Sequence, residues 1–348
     1  MARLFAFFKT NRTIIITILF FVLGIGIGIG SSFYLNHFDQ TSREQEVSIQ
    51  SYHESGKLTN PILDCEIYGK NQFASLEQLD YKISNEIQKM ESSPSVKQVA
   101  YYFREMKNGG WVGIDEKVDF APASLLKVPL MMAAYKKAEK DPKALDTEIL
   151  YVKDAQASLG FSQNIVPSVK LEKGLAYPIK DILTSMIAYS DNDAQQMMVD
   201  FLTQSEIDET YVDLGLEIPG VRQAEDIMSV KDYATFFRIL YNASYLSRDY
   251  SEAALQLLVK TEFNGLTGLL PPGMIVAHKF GERGYLDETG QELKQLHDCG
   301  IVYHPIRPYL LCIMTRGYDF EEQKKSIQSL SKMTYDDVVR RSATSSQK

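Results

Sequence analysis

The chain lacks any long run of lysine or arginine, and it has too few cysteines and histidines to suggest a metal site. Across 348 residues, 37 Lys and Arg are outnumbered by 45 Asp and Glu, which gives a formal net charge of −8. Phosphate binding needs a cationic surface, so this balance argues against a nucleic-acid partner. The 3 cysteines form no C-x-x-C pair and the 5 histidines are scattered. We therefore predict no metal or organic cofactor.

Three cysteines are also too few for a disulfide framework. Cys299 and Cys312 flank a predicted hairpin turn, which allows them to lie on adjacent strands. Two interpretations stay open at this point. They are either small buried hydrophobic side chains or partners in one disulfide, if the domain faces an oxidising compartment.

A long apolar run near the N-terminus follows several basic residues, the last of which is Arg12. The uncharged stretch begins at Thr13, and the next full charge is Asp39. About 20 apolar residues span a bilayer, and the basic side of such a span stays in the cytoplasm. We expect a cytoplasmic segment at 1–12, a single membrane anchor at 13–35 and an extracytoplasmic remainder at the cell membrane. A cleaved signal peptide is the alternative.

After a polar, aperiodic stretch at 36–70, which we interpret as a tether, the pattern becomes that of a globular domain. Apolar residues at spacings of three or four predict a helix from Leu76 to Met90, and Pro94 ends it. Further along the chain we predict strands at 96–103 and 111–114, a largely helical stretch at 125–258, strands at 274–280, 299–304 and 309–315, and a last amphipathic helix from about 320.

This order predicts the fold: α/β (α+β), with one antiparallel sheet built from both ends of the chain and flanked by the first and last helices. A helical lobe is inserted between the two groups of strands, and the active site is expected where lobe and sheet meet. We assign 71–340 to this domain and 341–348 to a polar tail. Five side chains are predicted to be buried: Leu126, Leu130, Ile187, Val276 and Ile313.

The first candidate for chemistry is Ser124-Leu-Leu-Lys127, which opens an apolar helical segment. Hydroxyl and amine three residues apart lie on one face of a helix, about one turn from each other. A serine hydroxyl is a poor nucleophile until a neighbouring base takes its proton. A lysine desolvated by apolar neighbours has a lowered pKa and can act as that base. The Ser-x-x-Lys motif alone is common, since a serine that caps a helix, followed by an exposed lysine, has the same spacing.

Two further motifs follow in order. Ser190-Asp-Asn192 comes after an apolar run in the helical insert, and Lys279-Phe280-Gly281 lies at the end of the strand that follows the insert. Taken singly, Ser-Asp-Asn is also a common helix start with Asn192 or Ser190 as the cap. The order and placement of all three motifs carry more weight than any one of them.

Together the motifs resemble the class A β-lactamase and penicillin-binding serine hydrolase superfamily, whose signature is S-x-x-K, S-D-N and K-T-G. The resemblance implies that Ser124 is acylated, that Lys127 takes its proton directly or through water, and that Ser190 relays a proton to the leaving nitrogen. It further implies that Asn192, Lys279 and Gly281 bind substrate. The backbone N–H of Ser124 and one from a residue just after Gly281 would form the oxyanion hole.

The chain departs from this pattern at two places. Phe280 replaces the threonine of K-T-G and removes the hydroxyl that contacts the substrate carboxylate. The segment at 214–227 stands where class A enzymes carry the Ω-loop glutamate that activates the deacylating water, and it is short and lacks the E-x-x-L-N motif. It offers only three acids, Glu217, Glu225 and Asp226, and each of them is also typical of a solvated loop.

We therefore expect a membrane-anchored serine hydrolase that acts on β-lactams or related D-alanyl amides, with a small-molecule or peptidoglycan-derived substrate and a monomeric catalytic domain. A D-alanyl-D-alanine carboxypeptidase or penicillin-binding protein is the nearest alternative, because the Ω-loop glutamate is missing. A non-catalytic tethered ligand-binding module is the third.

Overall fold

The structure, a computed structural model, describes residues 58–60, 76–152, 164–220 and 225–345. The predicted anchor at 13–35 lies outside this part of the chain. Within it, no helix is both long and apolar enough to cross a membrane.

Strands near both ends of the described domain enclose a mainly helical middle part. The helices are α1 (Glu77–Glu91), α2 (Lys127–Lys140), α3 (Ile179–Ala188), α4 (Asn192–Phe201), α5 (Gln204–Asp213), α6 (Val230–Asn242), α7 (Arg248–Leu258) and α8 (Phe320–Ser345). The strands are β1 (Val96–Glu105), β2 (Trp111–Ile114), β3 (Asp119–Phe120), β4 (Glu148–Leu150), β5 (Ala176–Pro178), β6 (Met228–Ser229), β7 (Val276–Leu286), β8 (Glu292–Val302) and β9 (Tyr309–Gly317).

One antiparallel sheet of five strands organises the described domain, in the order β2-β1-β9-β8-β7. Strand β1, from before the helical lobe, pairs with β9 near the end of the chain, with Tyr101 opposite Ile313. The predicted joining of both chain ends in one sheet is therefore confirmed. The smaller strands form two two-stranded pairs, β3-β6 and β4-β5, which the sequence analysis did not anticipate. It also began β8 too late, at residue 299.

Both faces of the sheet are covered. Along β9, Leu310, Cys312 and Met314 belong to the cluster shared with the helical lobe, whereas Leu311 and Ile313 belong to the cluster shared with α1 and α8. This alternation is the two-residue period of a strand. A strand buried on both sides reads as a continuous apolar run, which explains why β9 shows no polar alternation.

Four of the five side chains predicted to be buried are buried: Leu130, Ile187, Val276 and Ile313. The prediction for Leu126 was wrong, because its side chain is only partly buried against the lobe-side cluster. Leu126 ends a short 3-10 turn just before α2, and the neighbouring Leu125 fills the core in its place.

Cys299 and Cys312 face each other in the register of β8 and β9 and are joined by a disulfide with a Cα–Cα distance of 4.0 Å. Both residues are fully buried. The interpretation of Cys299 and Cys312 as partners in one disulfide is therefore confirmed. It lies on the side of the sheet that faces the helical lobe.

Candidate active site

The segment with Ser124 is a tight turn and not the first turn of a regular helix. Residues Ala123–Leu126 form a 3-10 turn, and α2 begins only at Lys127. Ala123 has a φ of 49°, a left-handed conformation that costs a non-glycine residue about 1–3 kcal/mol. The Ser124 side chain is partly exposed, whereas Leu125 and Lys127, which follow it, are buried. The turn therefore presents the hydroxyl while its neighbours hold it to the core.

Lys127 is fully buried and points at the Ser-Asp-Asn segment. Its Nζ donates to the Ser190 carbonyl oxygen at 2.6 Å, to Ser190 Oγ at 3.1 Å and to Asn192 Oδ1 at 2.8 Å. Burial lowers the pKa of Lys127 to about 7, although the nearby Asp191 carboxylate opposes the change. At neutral pH a substantial fraction of Lys127 is therefore an uncharged amine that can accept a proton.

Ser190 lies between two buried lysines. Its Oγ accepts from Lys127 Nζ and, at 2.9 Å, from Lys279 Nζ. Its φ of 58° is left-handed. In this conformation both the carbonyl oxygen and the hydroxyl of Ser190 accept from Lys127 Nζ. A hydroxyl oxygen has two acceptor lone pairs, so both contacts leave its own hydrogen available for a third group.

Asp191 caps the helix that follows, α4. Its side chain accepts from Asp193 N at 2.8 Å and Ala194 N at 3.4 Å, and Ser185 Oγ donates to it at 3.0 Å. The expected cap, Asn192 or Ser190, was wrong. Because Asp191 satisfies the free N–H groups of α4, the side chains of Ser190 and Asn192 remain directed at Lys127.

Lys279 and Gly281 lie on the face of β7 that meets the nucleophile turn. Lys279 is fully buried, and desolvation together with the Lys127 charge lowers its pKa well below the usual value. A Cβ built on Gly281 would lie 2.8 Å from the Pro122 carbonyl oxygen and 3.2 Å from Leu125 N. Only glycine therefore allows β7 to approach the Ser124 turn this closely.

Phe280 points to the opposite face of β7. It is 2% exposed and belongs to the cluster with α1 and α8, where its ring centroid lies 4.6 Å from that of Phe263. The Lys279 Nζ lies 4.0 Å from the centroid of the same ring, a cation–π distance. The ring that replaces the family's threonine is thus a core side chain beneath Lys279 and does not fill the space in front of Ser124.

Behind Lys279, a second buried pair holds the strand. His278 Nδ1 lies 2.9 Å from Asp298 Oδ1, and Asp298 also accepts from Leu266 N at 2.8 Å. Thr261 Oγ1 donates to the His278 carbonyl oxygen at 2.6 Å. These contacts fix the backbone on which Lys279 stands.

The backbone just before Ser124 is held by two side chains of β8. Gln295 Oε1 accepts from Ala121 N at 3.0 Å, and His297 Nε2 lies 3.0 Å from the Ala121 carbonyl oxygen. Since a carbonyl only accepts, Nε2 carries the proton. Burial lowers the pKa of His297 to about 3, so this contact persists as a neutral donor over the whole physiological range.

Two of the three acids of the segment at 214–227 form ion pairs with arginines. Glu225 forms an ion pair with Arg283 at 2.9 Å. Asp226 pairs with Arg316 at 3.1 Å and accepts from Gln295 Nε2 at 2.9 Å. Glu217 is exposed on the loop that precedes them. Asp226 therefore supports the Gln295 contact to Ala121, and neither ion-paired acid is placed as an available base.

Hydrogen bonds join four of the six predicted site residues, Lys127, Ser190, Asn192 and Lys279. Gly281 lies against the backbone of the turn that bears Ser124. Sequence reasoning missed the residues that hold this cluster in place, Asp191, Gln295, His297 and Asp298. Asp191 is the middle residue of the Ser-Asp-Asn motif but was assigned no role. No motif marks the other three, because their partners are backbone groups or residues distant in the chain. Within the described ranges, no group of three or more His, Cys, Asp or Glu side chains could hold a metal ion.

Comparison with known proteins identifies the family of the chain. The family model described as "Beta-lactamase enzyme family" matches residues 82–338. The chain belongs to this family. Family membership and the fold make it a serine hydrolase of the β-lactamase type. A search of curated protein sequences finds no match.

Solved structures of a β-lactamase and of PBP-A have the same fold. TLA-3 extended-spectrum beta-lactamase aligns with 19% identity and a TM-score of 0.63 over 75% of this chain and 99% of its own. PBP-A aligns with 21% identity and a TM-score of 0.62 over 80% and 100%. A PBP-A mutant, solved as an acyl-enzyme complex with penicillin G, aligns with 22% identity and a TM-score of 0.61 over 75% and 97%.

Proposed function

We propose that the chain is a membrane-anchored, extracytoplasmic serine hydrolase that is acylated at Ser124 by β-lactams or related D-alanyl amides and releases the acyl group slowly. The observation that carries this proposal is the pair of buried lysines that share the Ser190 hydroxyl beside the Ser124 turn. The anchor is proposed from the basic residues and apolar run at the N-terminus.

In the proposed acylation, uncharged Lys127 takes the proton of Ser124 Oγ, directly or through water. The Oγ–carbon bond forms at the substrate carbonyl, and negative charge develops on its oxygen, which backbone N–H groups at Ser124 and just after Gly281 stabilise. The C–N bond then breaks and Ser190 Oγ passes its proton to the leaving nitrogen. Lys127 Nζ, which donates to that oxygen, returns to it the proton taken from Ser124. Asn192 binds the substrate amide, and Lys279 attracts the carboxylate.

Hydrolysis of the ester needs a water that attacks the acyl carbon and loses a proton to a base. Glu225 and Asp226, two of the three candidate acids, are paired with arginines, and this supports slow hydrolysis. The acyl-enzyme of the PBP-A mutant with penicillin G supports the same expectation by analogy. A cell-wall D-alanyl-D-alanine carboxypeptidase or penicillin-binding protein is therefore the second candidate function.

Intact mass of the protein after addition of benzylpenicillin tests both steps. We expect a mass increase equal to the drug in the wild-type chain, none in Ser124→Ala, and an adduct that persists for minutes to hours. Ser162→Ala is a matched control for loss of a serine hydroxyl outside the three motifs. No adduct in the wild type would contradict acylation by penicillins, and release within seconds would contradict slow hydrolysis.

A non-catalytic binding module gives a different result in the same experiment. It would bind a β-lactam or a D-alanyl-D-alanine peptide equally well in the wild type and in Ser124→Ala, with no covalent adduct in either.

A further inference from the structure

Residues 58–60, which belong to the predicted tether, are packed onto the hydrolase domain. Leu58 is 7% and Thr59 2% exposed, and Leu58 belongs to the lobe-side core cluster. Residues of a free polar tether would keep most of their surface in water. This part of the predicted tether is therefore held by the domain, and the contacts show how.

The Glu252 carboxylate on α7 accepts the backbone N–H groups of two consecutive residues. Leu58 N lies 2.9 Å and 2.7 Å from Oε1 and Oε2, and Thr59 N lies 2.9 Å from Oε2. A carboxylate that accepts backbone N–H groups makes charge-assisted hydrogen bonds, which are about twice as strong as neutral ones.

Donors of the domain meet the carbonyl oxygens of the same segment. Tyr303 Oη donates to the Leu58 carbonyl oxygen at 3.0 Å, and Arg248 Nη2 donates to the Asn60 carbonyl oxygen at 2.8 Å. Arg248 Nη1 also reaches Thr59 Oγ1 at 3.4 Å. Side chains of the domain thus pair with both the N–H groups and the carbonyl oxygens of residues 58–60.

Asn60 continues the pattern at the end of α6. Its backbone N–H donates to the Tyr241 carbonyl oxygen at 2.6 Å, and its Nδ2 donates to Asn242 Oδ1 at 3.1 Å. The C-terminal carbonyls of a helix have no partner within it, and Asn60 supplies one.

We propose that Tyr241, Asn242, Arg248, Glu252 and Tyr303 form a docking groove for the chain's own residues 58–60, and that this clamp fixes the point at which the preceding chain leaves the domain. The groove binds the segment mainly through its backbone and takes the Leu58 side chain into the core. The proposal is independent of the proposed hydrolase activity.

Docking of residues 58–60 shortens the part of the predicted tether that can extend away from the domain. If residues 36–70 were all free, they would extend to roughly 120 Å at about 3.4 Å per residue. With residues 58–60 held in the groove, the part of the predicted tether that precedes them is residues 36–57, which even fully extended would span at most roughly 75 Å. Docking of residues 58–60 would thus shorten the longest possible link between the predicted anchor and the domain.

Hydrogen–deuterium exchange of the full chain tests the proposal. We expect the amides of Leu58, Thr59 and Asn60 to exchange at least tenfold more slowly than those of an unstructured peptide. Glu252→Ala and Arg248→Ala should each remove most of this protection. Asp249→Asn, on the same helix and exposed, removes a carboxylate without touching the segment and should leave protection unchanged.

Two results would overturn the clamp. One is exchange of these three amides at the unstructured rate in the wild type. The other is retained protection in both groove variants while their far-ultraviolet circular dichroism matches the wild type. If a groove variant loses overall structure, Leu58→Ala replaces it, because it changes the docked segment alone. Leu58→Ala should then speed exchange of Thr59 and Asn60, and unchanged exchange would count against the proposal.

Discussion

Lys127 combines complete burial with three hydrogen-bond partners that are all neutral oxygen atoms. The partners satisfy its N–H groups but supply no full negative charge, so desolvation dominates its pKa. This environment differs from that of a snorkelling lysine, which keeps its ammonium in water. The same side chain can therefore hold the Ser190 segment and take up a proton near neutral pH.

The lowered pKa of Lys127, about 7, predicts how the acylation rate depends on pH. Below pH 7 the amine is protonated and cannot accept the Ser124 proton, so the second-order acylation rate constant should rise with pH and level off above about 8. Lys127→Ala should lower the plateau by about 10²–10⁴-fold. Stopped-flow acylation by a chromogenic cephalosporin across pH 5–9 measures this. A flat profile in the wild type would refute the assignment of Lys127 as the base.

Phe280 predicts a stability effect. Phe280→Ala should lower the free energy of unfolding by about 3–5 kcal/mol, because it removes a buried ring and leaves a cavity against Phe263. Leu286→Ala on the same strand is the control, since Leu286 is 65% exposed and should change stability by less than about 0.5 kcal/mol. Urea unfolding measures both. Equal effects of the two substitutions would show that Phe280 is not a core residue.

At the scale of elements, β8 links the segment after α5 to the nucleophile turn. Gln295 accepts from Ala121 N and donates to Asp226, while His297 donates to the Ala121 carbonyl oxygen. Both backbone groups of Ala121 are thus fixed by one strand. The short segment where class A enzymes carry a catalytic acid has a structural contact to the turn that bears Ser124.

Removing Gln295 tests this connection. Gln295→Met should destabilise the chain by about 1–3 kcal/mol, because Ala121 N loses its partner while buried. It should also slow acylation, since the turn is less firmly held. Gln291→Met, at an exposed position before β8, is the matched control and should change neither quantity. Urea unfolding and the acylation rate constant report the two effects, and a variant indistinguishable from Gln291→Met would contradict the role.

The disulfide between β8 and β9 is expected to contribute to the free energy of unfolding. It closes a loop with a sequence separation of 13 residues, and closing a loop of this size in the unfolded chain is worth about 2–4 kcal/mol. The double substitution Cys299→Ala and Cys312→Ala should lower the free energy of unfolding by this amount. Cys65→Ala serves as the control, and urea unfolding in the absence of reductant gives the comparison.

For the whole described domain, the two core clusters share one sheet and cannot be separated. Alternate residues of β1 and β9 enter one cluster or the other, so loss of the sheet exposes both. We therefore predict a single unfolding transition in which fluorescence of the one tryptophan, Trp111, and far-ultraviolet circular dichroism coincide. Two separated midpoints would show that the lobes unfold independently.

The order of the main helices and strands, and the chain positions of the candidate reactive side chains, follow from local features of the sequence. Periodicity predicted α1, β1 and β2, and the three motifs placed Ser124, Lys127, Ser190, Asn192, Lys279 and Gly281 in the order of the superfamily. Such features are local, because hydrophobic period and motif spacing are properties of neighbouring residues.

How those residues are held, and what surrounds them, depends on the three-dimensional fold. In the fold, Phe280 is buried in the core and Asp191 is the N-cap of α4. Cys299 and Cys312 form a disulfide, and Glu225 and Asp226 form ion pairs with arginines. The fold also places residues 58–60 on α7. Each of these depends on contacts between residues far apart in the chain, and burial and pKa are set by those contacts and not by sequence neighbours.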